Sequence, residues 1–324
     1  MARSKKNRND IHGWLILDKP KGLSSTEALG RVKRLYRPAK AGHAGTLDPL
    51  ATGLLPLAFG EATKTVPFVM DGHKVYRFTV GWGIETATDD LEGEVVATSD
   101  VRPTPDAIGA VLGEFTGTIM QVPPAFSAIK VDGERAYDLA RDGEDFELAA
   151  RPIAVHRLTL VRCPDDDHAI FEAECGKGTY VRALARDIGR RLGTRGHVTD
   201  LRRTAVGPFG EDDMISLEKL QALSHSAAGE PRLASVLRPV ETALADIPAL
   251  AVNRADAARL RKGQGVLVLG RDAPVFHGTV YVTEAGQIVA LADYERGELL
   301  PRRVFNLPTG QNHELADGAE KEED

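Results

Sequence analysis

A single aspartate stands inside a glycine-rich, apolar stretch near the N-terminus of the chain. Residues 42–53 read GHAGTLDPLATG, and Asp48 is their only acidic residue. Taken alone, an aspartate before a proline most often forms a turn or a helix cap. A carboxylate in apolar surroundings, however, needs a cationic or hydrogen-bonding partner. Such a carboxylate could act as a nucleophile or a proton acceptor.

Two basic segments could supply that partner. Residues 28–47 contain five basic residues and no acidic one, and residues 177–203 contain eight basic residues against two aspartates. The chain carries a net charge of -6, but most of it comes from residues 314–324, which hold six acidic residues and one lysine. The body is therefore nearly neutral. On charge alone, the basic segments fit solvated helix faces and a nucleic-acid-binding surface equally well.

Predicted helices and a strand would position these groups. Ser24 and Glu27 form a capping box, and the helical spacing of apolar residues extends this helix to about Tyr36. Residues 179–192 form a second amphipathic helix, with arginines four apart along one side: Arg182, Arg186 and Arg190. Residues 74–81 alternate as a strand. The long segment from 41 to 64 breaks periodicity repeatedly, which predicts a packed and functional loop.

The order of these elements predicts an α+β protein with an appended β module. We expect a disordered basic N-terminus at residues 1–10 and a catalytic-sized domain at 11–246. Three alternating segments separated by glycine turns predict a small β-barrel at 247–307. The acidic residues 308–324 are predicted to be a disordered tail.

Composition excludes several functional classes. No apolar run is long enough to span a membrane, and the polar N-terminus lacks the apolar stretch of a signal peptide. The two cysteines, Cys163 and Cys175, lie in strand-like segments and are expected to be buried thiols in a reducing, cytoplasmic protein. The sequence has no zinc, calcium, P-loop or dinucleotide-binding motif, so we expect neither a metal nor a cofactor.

Six ordered segments resemble the TruB family of tRNA pseudouridine synthases, and the resemblance spans about residues 11–307. The segments are LDKPKG at 17–22, GHAGTLDPLATG at 42–53, VYRF at 75–78, QVPPAFSA at 121–128, GKGTYVR at 176–182 and LRRTAVGPF at 201–209. The resemblance implies a pseudouridine synthase fold with a mixed, mainly antiparallel sheet. It also implies that the terminal β module is a PUA-like RNA-binding domain.

The resemblance further implies roles for individual residues. Asp48 would be the catalytic carboxylate, and Arg182 the arginine that pairs with it. Tyr76 would stack on the target base and is the candidate for removing the C5 proton. Tyr180 and Leu201 would hold the uracil.

Other residues would support the site or contact the RNA. His43 would occupy the place that the flipped uridine leaves in the RNA stack. Lys19 belongs to a segment expected to support the pocket. Four arginines are candidates for contacts to the RNA backbone: Arg186, Arg190, Arg202 and Arg203. In the family, the segment from about 124 to 151 closes over the RNA.

Three functions fit this resemblance. The first is a cofactor-free enzyme that makes pseudouridine at position 55 in the T-arm of tRNA, acting as a monomer without a guide RNA or protein partner. The second is a non-catalytic RNA-binding or tRNA-folding protein. The third is a guide-RNA-dependent relative. The intact set of Asp48, Tyr76 and Arg182 favours the first.

Overall fold

A nine-stranded sheet forms the centre of the protein, as described by a computed structural model for residues 8–127, 129–131, 133–144, 146–225, 229–268 and 277–308. The strands are β1 (Gly13–Lys19), β2 (Ala41–His43), β3 (Thr52–Phe59), β4 (Lys74–Trp82), β5 (Ile84–Thr86), β6 (Val95–Thr98), β7 (Gly117–Gln121), β8 (Lys130–Val131), β9 (Glu134–Arg135), β10 (Arg151–Asp165), β11 (His168–Cys175), β12 (Gly196–Val206), β13 (Ile215–Ser216), β14 (Ala249–Ala251), β15 (Val266–Leu267), β16 (Gly278–Glu284), β17 (Gln287–Glu295) and β18 (Glu298–Val304). The α-helices are α1 (Ser25–Tyr36), α2 (Val66–Asp71), α3 (Pro105–Val111), α4 (Ala136–Arg141), α5 (Val181–Arg191), α6 (Leu217–Ser224), α7 (Gly229–Ser235) and α8 (Arg254–Arg261).

The central sheet is mixed and mainly antiparallel. Its strand order is β13–β1–β3–β12–β4–β11–β10–β7, and β2 pairs with β3. The pairs β1–β13 and β3–β12 are parallel, and the other pairs are antiparallel. The predicted α+β class is confirmed. So is the capping box of α1, in which the Ser24 hydroxyl accepts from the Glu27 amide.

Both faces of β1 are buried. Leu15 and Leu17 pack into a core that also holds residues of α1 and α5, whereas Trp14 and Ile16 pack into a second core on the other face. Alternation along a strand sends successive side chains to opposite faces, so a strand covered on both sides is apolar throughout.

Burial on both faces also explains why the sequence does not predict strand β3. The sequence predicts a loop between residues 41 and 64, but the structure places an eight-residue strand at Thr52–Phe59. Seven of its eight residues are buried, which removes the alternation that marks a half-buried strand. Pro56 lies within this strand, opposite Ile16 of β1. The predicted loop is thus confined to residues 44–51.

The C-terminal unit is a curled five-stranded sheet with the order β14–β16–β17–β18–β15. This curled sheet, a half-barrel, is consistent with the predicted PUA-like β module. Leu260 of α8 packs into its core. Ile288 and Phe305 lie in the same core as Trp14, so this unit is packed against the central sheet.

Both predicted disordered ends fall largely outside the described residues, namely 1–7 and 309–324. Residues 8–10 depart from the prediction, because Asn9 donates its backbone N–H to the carbonyl of Arg37 at 2.8 Å and its side-chain amide to that of Tyr36 at 3.1 Å. These bonds hold this part of the N-terminus against the end of α1.

Candidate active site

The loop that carries Asp48, residues 44–51 between β2 and β3, is held by the first turn of α1. The buried hydroxyl of Ser25 donates to the Leu47 carbonyl at 3.0 Å, and the Leu47 amide donates back to that hydroxyl at 2.7 Å. This reciprocal pair fixes the backbone one residue before Asp48. The Asp48 side chain itself is 40% exposed.

Arg203 fixes the loop from the opposite side. It lies on β12, opposite Gly53 of β3 and Tyr76 of β4, and is almost fully buried. Its guanidinium donates to the carbonyls of Gly45, Thr46 and Leu54. Gly53 has a φ of +94°, and a Cβ there would lie 2.3 Å from the Arg203 carbonyl oxygen, so this close approach requires glycine.

Arg182 forms an ion pair with Asp48. The distance between Arg182 Nε and Asp48 Oδ2 is 3.0 Å, and the Arg182 side chain is only 8% exposed. Its terminal nitrogens donate to the carbonyls of Thr88 at 2.8 Å and Phe126 at 3.0 Å. These bonds hold the guanidinium in one orientation, with Nε directed at the carboxylate.

A cavity of about 480 Å³ opens beside this pair. Six of the residues singled out from the sequence line it together: Asp48, Tyr76, Tyr180, Arg182, Leu201 and Arg203. Burial raises the pKa of the Tyr76 phenol, and the neighbouring Arg203 guanidinium opposes part of that rise. Burial likewise raises the pKa of Tyr180. Both phenols therefore stay neutral at physiological pH.

His43 and Lys19 do not line this cavity. His43 ends β2 and is half-buried, and burial together with Arg203 lowers its pKa, so its imidazole is neutral at pH 7. Lys19 has no exposed surface, and its ammonium donates to the carbonyls of Pro20, Leu23 and Pro49. Lys19 thus binds the backbone next to Asp48 without lining the cavity.

The arginines of α5 are paired inside the protein. Arg186 is buried and contacts Asp89 at 2.9 Å, and Arg190 contacts Glu85 at 2.5 Å. Arg182 also lies 3.5 Å from the buried carboxylate of Asp90. The expectation that Arg186 contacts RNA phosphates is therefore wrong, because its guanidinium is buried on internal partners. Arg190 stays half-exposed, and its contact with RNA remains a prediction.

The two neighbouring arginines of β12 also have partners within the protein. Arg203 is enclosed by the loop that carries Asp48, so its predicted contact with the RNA backbone is corrected. Arg202 is one-third exposed and pairs with Asp18 at 2.9 Å and Glu211 at 3.1 Å. Its phosphate contact stays a prediction.

A group of exposed cations lies at the end of α1. Lys33, Arg34 and Arg37 at its C-terminal end are exposed, and none has a carboxylate within ion-pair distance among the residues that the structure describes. The sequence singled out this basic segment but did not favour it over α5.

Several residues that contact the backbone or the arginines of the site were missed from the sequence. These are Ser25, Gln121 and the carboxylates that pair with α5: Glu85, Asp89 and Asp90. The spacing of Glu85 and Asp89 matches the four-residue spacing of Arg186 and Arg190, which is a signal that could have paired them. Ser25 and Gln121 bind backbone groups, and no spacing rule marks such contacts.

Within the described ranges, no group of three or more His, Cys, Asp or Glu side chains could hold a metal ion. None of the helices there is long and apolar enough to cross a membrane. Cys175 is buried and Cys163 is partly buried, both as free thiols.

Comparison with known proteins identifies the family. Residues 33–181 match the model of the TruB family pseudouridylate synthase N-terminal domain, and residues 182–245 match the tRNA pseudouridylate synthase B C-terminal domain. The tRNA pseudouridine synthase B of Bradyrhizobium diazoefficiens is 66% identical over 304 residues, covering 94% of this chain and 88% of that protein. The chain belongs to the TruB family. It is 54% identical to the Caulobacter vibrioides tRNA pseudouridine synthase B, over 95% of this chain and 100% of that protein.

Solved structures share the fold of this TruB-family chain. A Cbf5–Nop10–Gar1 complex matches with a TM-score of 0.70 at 26% identity, over 91% of this chain and 84% of the matched one. An archaeal box H/ACA sRNP Nop10–Cbf5 complex matches with a TM-score of 0.68 at 25% identity, over 90% and 85%. The pseudouridine synthase fold implied by the sequence is confirmed.

Proposed function

We propose that this chain isomerises uridine to pseudouridine in tRNA, at position 55 of the TΨC loop. The observation that carries this proposal is the Asp48–Arg182 ion pair at the wall of a cavity with Tyr76, Tyr180 and Leu201. TruB-family relatives that are 54–66% identical are named as tRNA pseudouridine synthases, which supports the choice of substrate.

The reaction breaks the bond between ribose C1′ and uracil N1, turns the base and joins it again through C5. Because substrate and product contain the same atoms, the chemistry needs a carboxylate and a proton acceptor rather than an oxidant. Asp48 acts on the sugar or the base in this scheme. Arg182 orients its carboxylate, since the hydrogen bonds to Thr88 and Phe126 leave Nε free to hold Oδ2.

The aromatic side chains of the cavity hold the uracil. Tyr76 stacks on the base and is the candidate for removing the C5 proton, a step for which its phenol must first give up its own proton; Arg203, which opposes the rise in the Tyr76 pKa, favours that loss. Tyr180 and Leu201 contact the edge and face of the ring. Neutral rings suit this stacking role better than charged ones would, because they need no solvation inside the cavity.

The target uridine must leave the RNA stack to reach this cavity. His43 fills the vacated place in the RNA, a role that its neutral imidazole suits. Phe126 and Tyr137 of the segment that closes over the RNA also line the cavity. The exposed cations of α1, with Arg190 and Arg202, contact the phosphates.

The enzyme works in the cytoplasm as a monomer, without a guide RNA or a protein partner. The test is to incubate the purified chain alone with an unmodified tRNA transcript and to measure pseudouridine at each position. We expect one pseudouridine per tRNA, in the T-loop. Binding without turnover would favour the RNA-folding alternative, and turnover only with an added guide RNA would favour the guide-dependent one.

A further inference from the structure

Gln121 makes an unusual contact with the residue that precedes α5. Its side-chain Oε1 accepts a hydrogen bond from the Tyr180 amide at 2.9 Å, and its Nε2 donates to the Tyr180 carbonyl at 3.1 Å. The side chain is almost fully buried, with 2% of its surface exposed. A carboxamide can donate from its nitrogen and accept at its oxygen at the same time.

The contact lies where the backbone changes direction. Tyr180 is the N-cap of α5, with extended dihedrals, and its side chain makes no capping hydrogen bond. Gly178, two residues earlier, has a φ of +84°. The Tyr180 carbonyl already accepts the first hydrogen bond of the helix, from Leu184. Gln121 therefore fixes both sides of the residue that sets where α5 begins.

The cavity depends on that starting point. Tyr180 and Arg182 both line it, and Arg182 lies two residues after the clamped backbone. A change in the backbone dihedral angles of Tyr180 would reorient the first turn of α5 and move the Arg182 guanidinium away from Asp48. Displacements of about 1 Å at a reacting group can lower a rate about a hundredfold.

Gln121 also ends β7, from which the cavity-lining segment departs. Two arginines of α5 bind that segment in return: Arg186 donates to the Val122 carbonyl at 2.8 Å, and Arg182 to that of Phe126. Hydrogen bonds from Gln121 to Tyr180, and from α5 to the segment that follows β7, therefore hold the starts of the two elements together.

We propose that Gln121 is a positioning residue for the reaction, acting through Tyr180 and Arg182 without touching the substrate. Its effect on turnover rests on the proposed function, whereas the clamp on the Tyr180 backbone does not. A purely structural role would lower stability alone. A positioning role lowers the rate of bound substrate and couples to Arg182.

The test compares Gln121→Met, which removes both hydrogen bonds at similar size, with Gln221→Met at an exposed position of α6. We expect Gln121→Met to lower the single-turnover rate at saturating tRNA between about tenfold and a hundredfold, with the Kd for tRNA changing less than about threefold. Gln221→Met should match the parent protein. Gln121→Asn, which keeps the carboxamide but is one methylene shorter, should lower the rate as well and serves if the Met variant does not fold.

A double-mutant cycle tests the route of the effect. The fold-loss of rate in the double variant should be smaller than the product of the fold-losses in Gln121→Met and Arg182→Lys, because both substitutions act on one ion pair. Losses that multiply, or a normal rate in both Gln121 variants, overturn the inference while leaving the proposed function intact. Hydrogen exchange at the amides of residues 180–182 needs no turnover: faster exchange in Gln121→Met supports the clamp, and unchanged exchange overturns it.

Discussion

Around Asp48, burial and hydrogen bonding decide how each side chain is charged. Lys19 illustrates this, since its ammonium is enclosed and bound to three carbonyl groups next to the loop that carries Asp48. Burial lowers its pKa from 10.5 to about 8, with Asp48 opposing and Arg203 adding to that shift. The folded protein therefore releases this proton at a lower pH than the unfolded chain does.

The depressed pKa of Lys19 predicts a particular pH dependence of stability. Between about pH 8 and 10.5 the unfolded chain binds the proton that the folded protein has lost, so Lys19 makes folding more favourable as pH rises through this window. In Lys19→Met this contribution is gone. Measured in urea, the free energy of unfolding of the parent minus that of Lys19→Met should be more positive at pH 10 than at pH 7.5.

Lys219→Met, at an exposed position of α6, serves as the matched control and should show the same difference at both pH values. The account of Lys19 would be contradicted if the parent and Lys19→Met changed stability in parallel across the window.

Helices α1 and α5 are both basic, yet they use their cations differently. Arg186 of α5 is buried against Asp89, whose pKa burial raises to about 6 even though Arg186 opposes the rise. Arg34 of α1 is exposed and has no carboxylate partner in the part of the chain that the structure describes. The first arrangement stabilises the fold, and the second leaves charge available for phosphates.

Replacing Arg186 or Arg34 with methionine should distinguish the arginine that stabilises the fold from the one that binds phosphates. Arg186→Met leaves Asp89 buried without its cation and should lower the free energy of unfolding by about 3 kcal/mol, without changing the salt dependence of tRNA binding. Arg34→Met should change stability by less than about 0.5 kcal/mol. It should weaken tRNA binding and reduce the slope of log affinity against log salt by about 1. Thermal unfolding and filter binding across a salt series measure both effects, and the reverse pattern would refute the assignment.

Local signals predicted α1 and α5 from the sequence, whereas the partners of their side chains could not be predicted. A capping box and helical periodicity lie within a dozen residues, so they are readable from the chain itself. The partners of Arg186 and Arg190 lie on a segment about a hundred residues earlier, around β5, and only the folded sheet brings them together. Asp48, Tyr76 and Arg182 were predicted through family motifs, because spacing alone would have left Asp48 as a turn residue.

At the scale of the whole molecule, the C-terminal half-barrel shares a core with the central sheet. Phe305 packs with Trp14 in that core, and Glu61 accepts a hydrogen bond from the Asn306 amide at 2.7 Å. The sequence predicted this unit as a separate module. Its packing could not be predicted, because the apolar residues that join the two units lie at opposite ends of the chain.

Removing residues 247–324 should weaken tRNA binding more than it slows the reaction of bound tRNA, since the cavity-lining residues all precede this unit. The truncation also exposes Trp14, so the melting temperature should fall. A control chain ending at Leu307 lacks only the acidic tail. It should keep its single-turnover rate and bind tRNA equally well or slightly more tightly at low salt, because that tail repels RNA. Unchanged affinity in the longer truncation would contradict this assignment.

The central claim is that Asp48 performs the chemistry while Arg182 orients it. Asp48→Asn keeps the size of the side chain but removes its charge, so folding and tRNA binding should persist. No other acidic side chain lines the described cavity, so none can take its place.

The most direct test is the single-turnover rate of pseudouridine formation by Asp48→Asn, with tRNA binding measured on the same preparation. We expect the rate to fall about a thousandfold, or about 4 kcal/mol of barrier, with tRNA affinity unchanged or slightly increased. A turn or cap residue would instead cost about 1 kcal/mol of stability and leave turnover intact. Near-normal turnover by Asp48→Asn would contradict the catalytic role of this carboxylate.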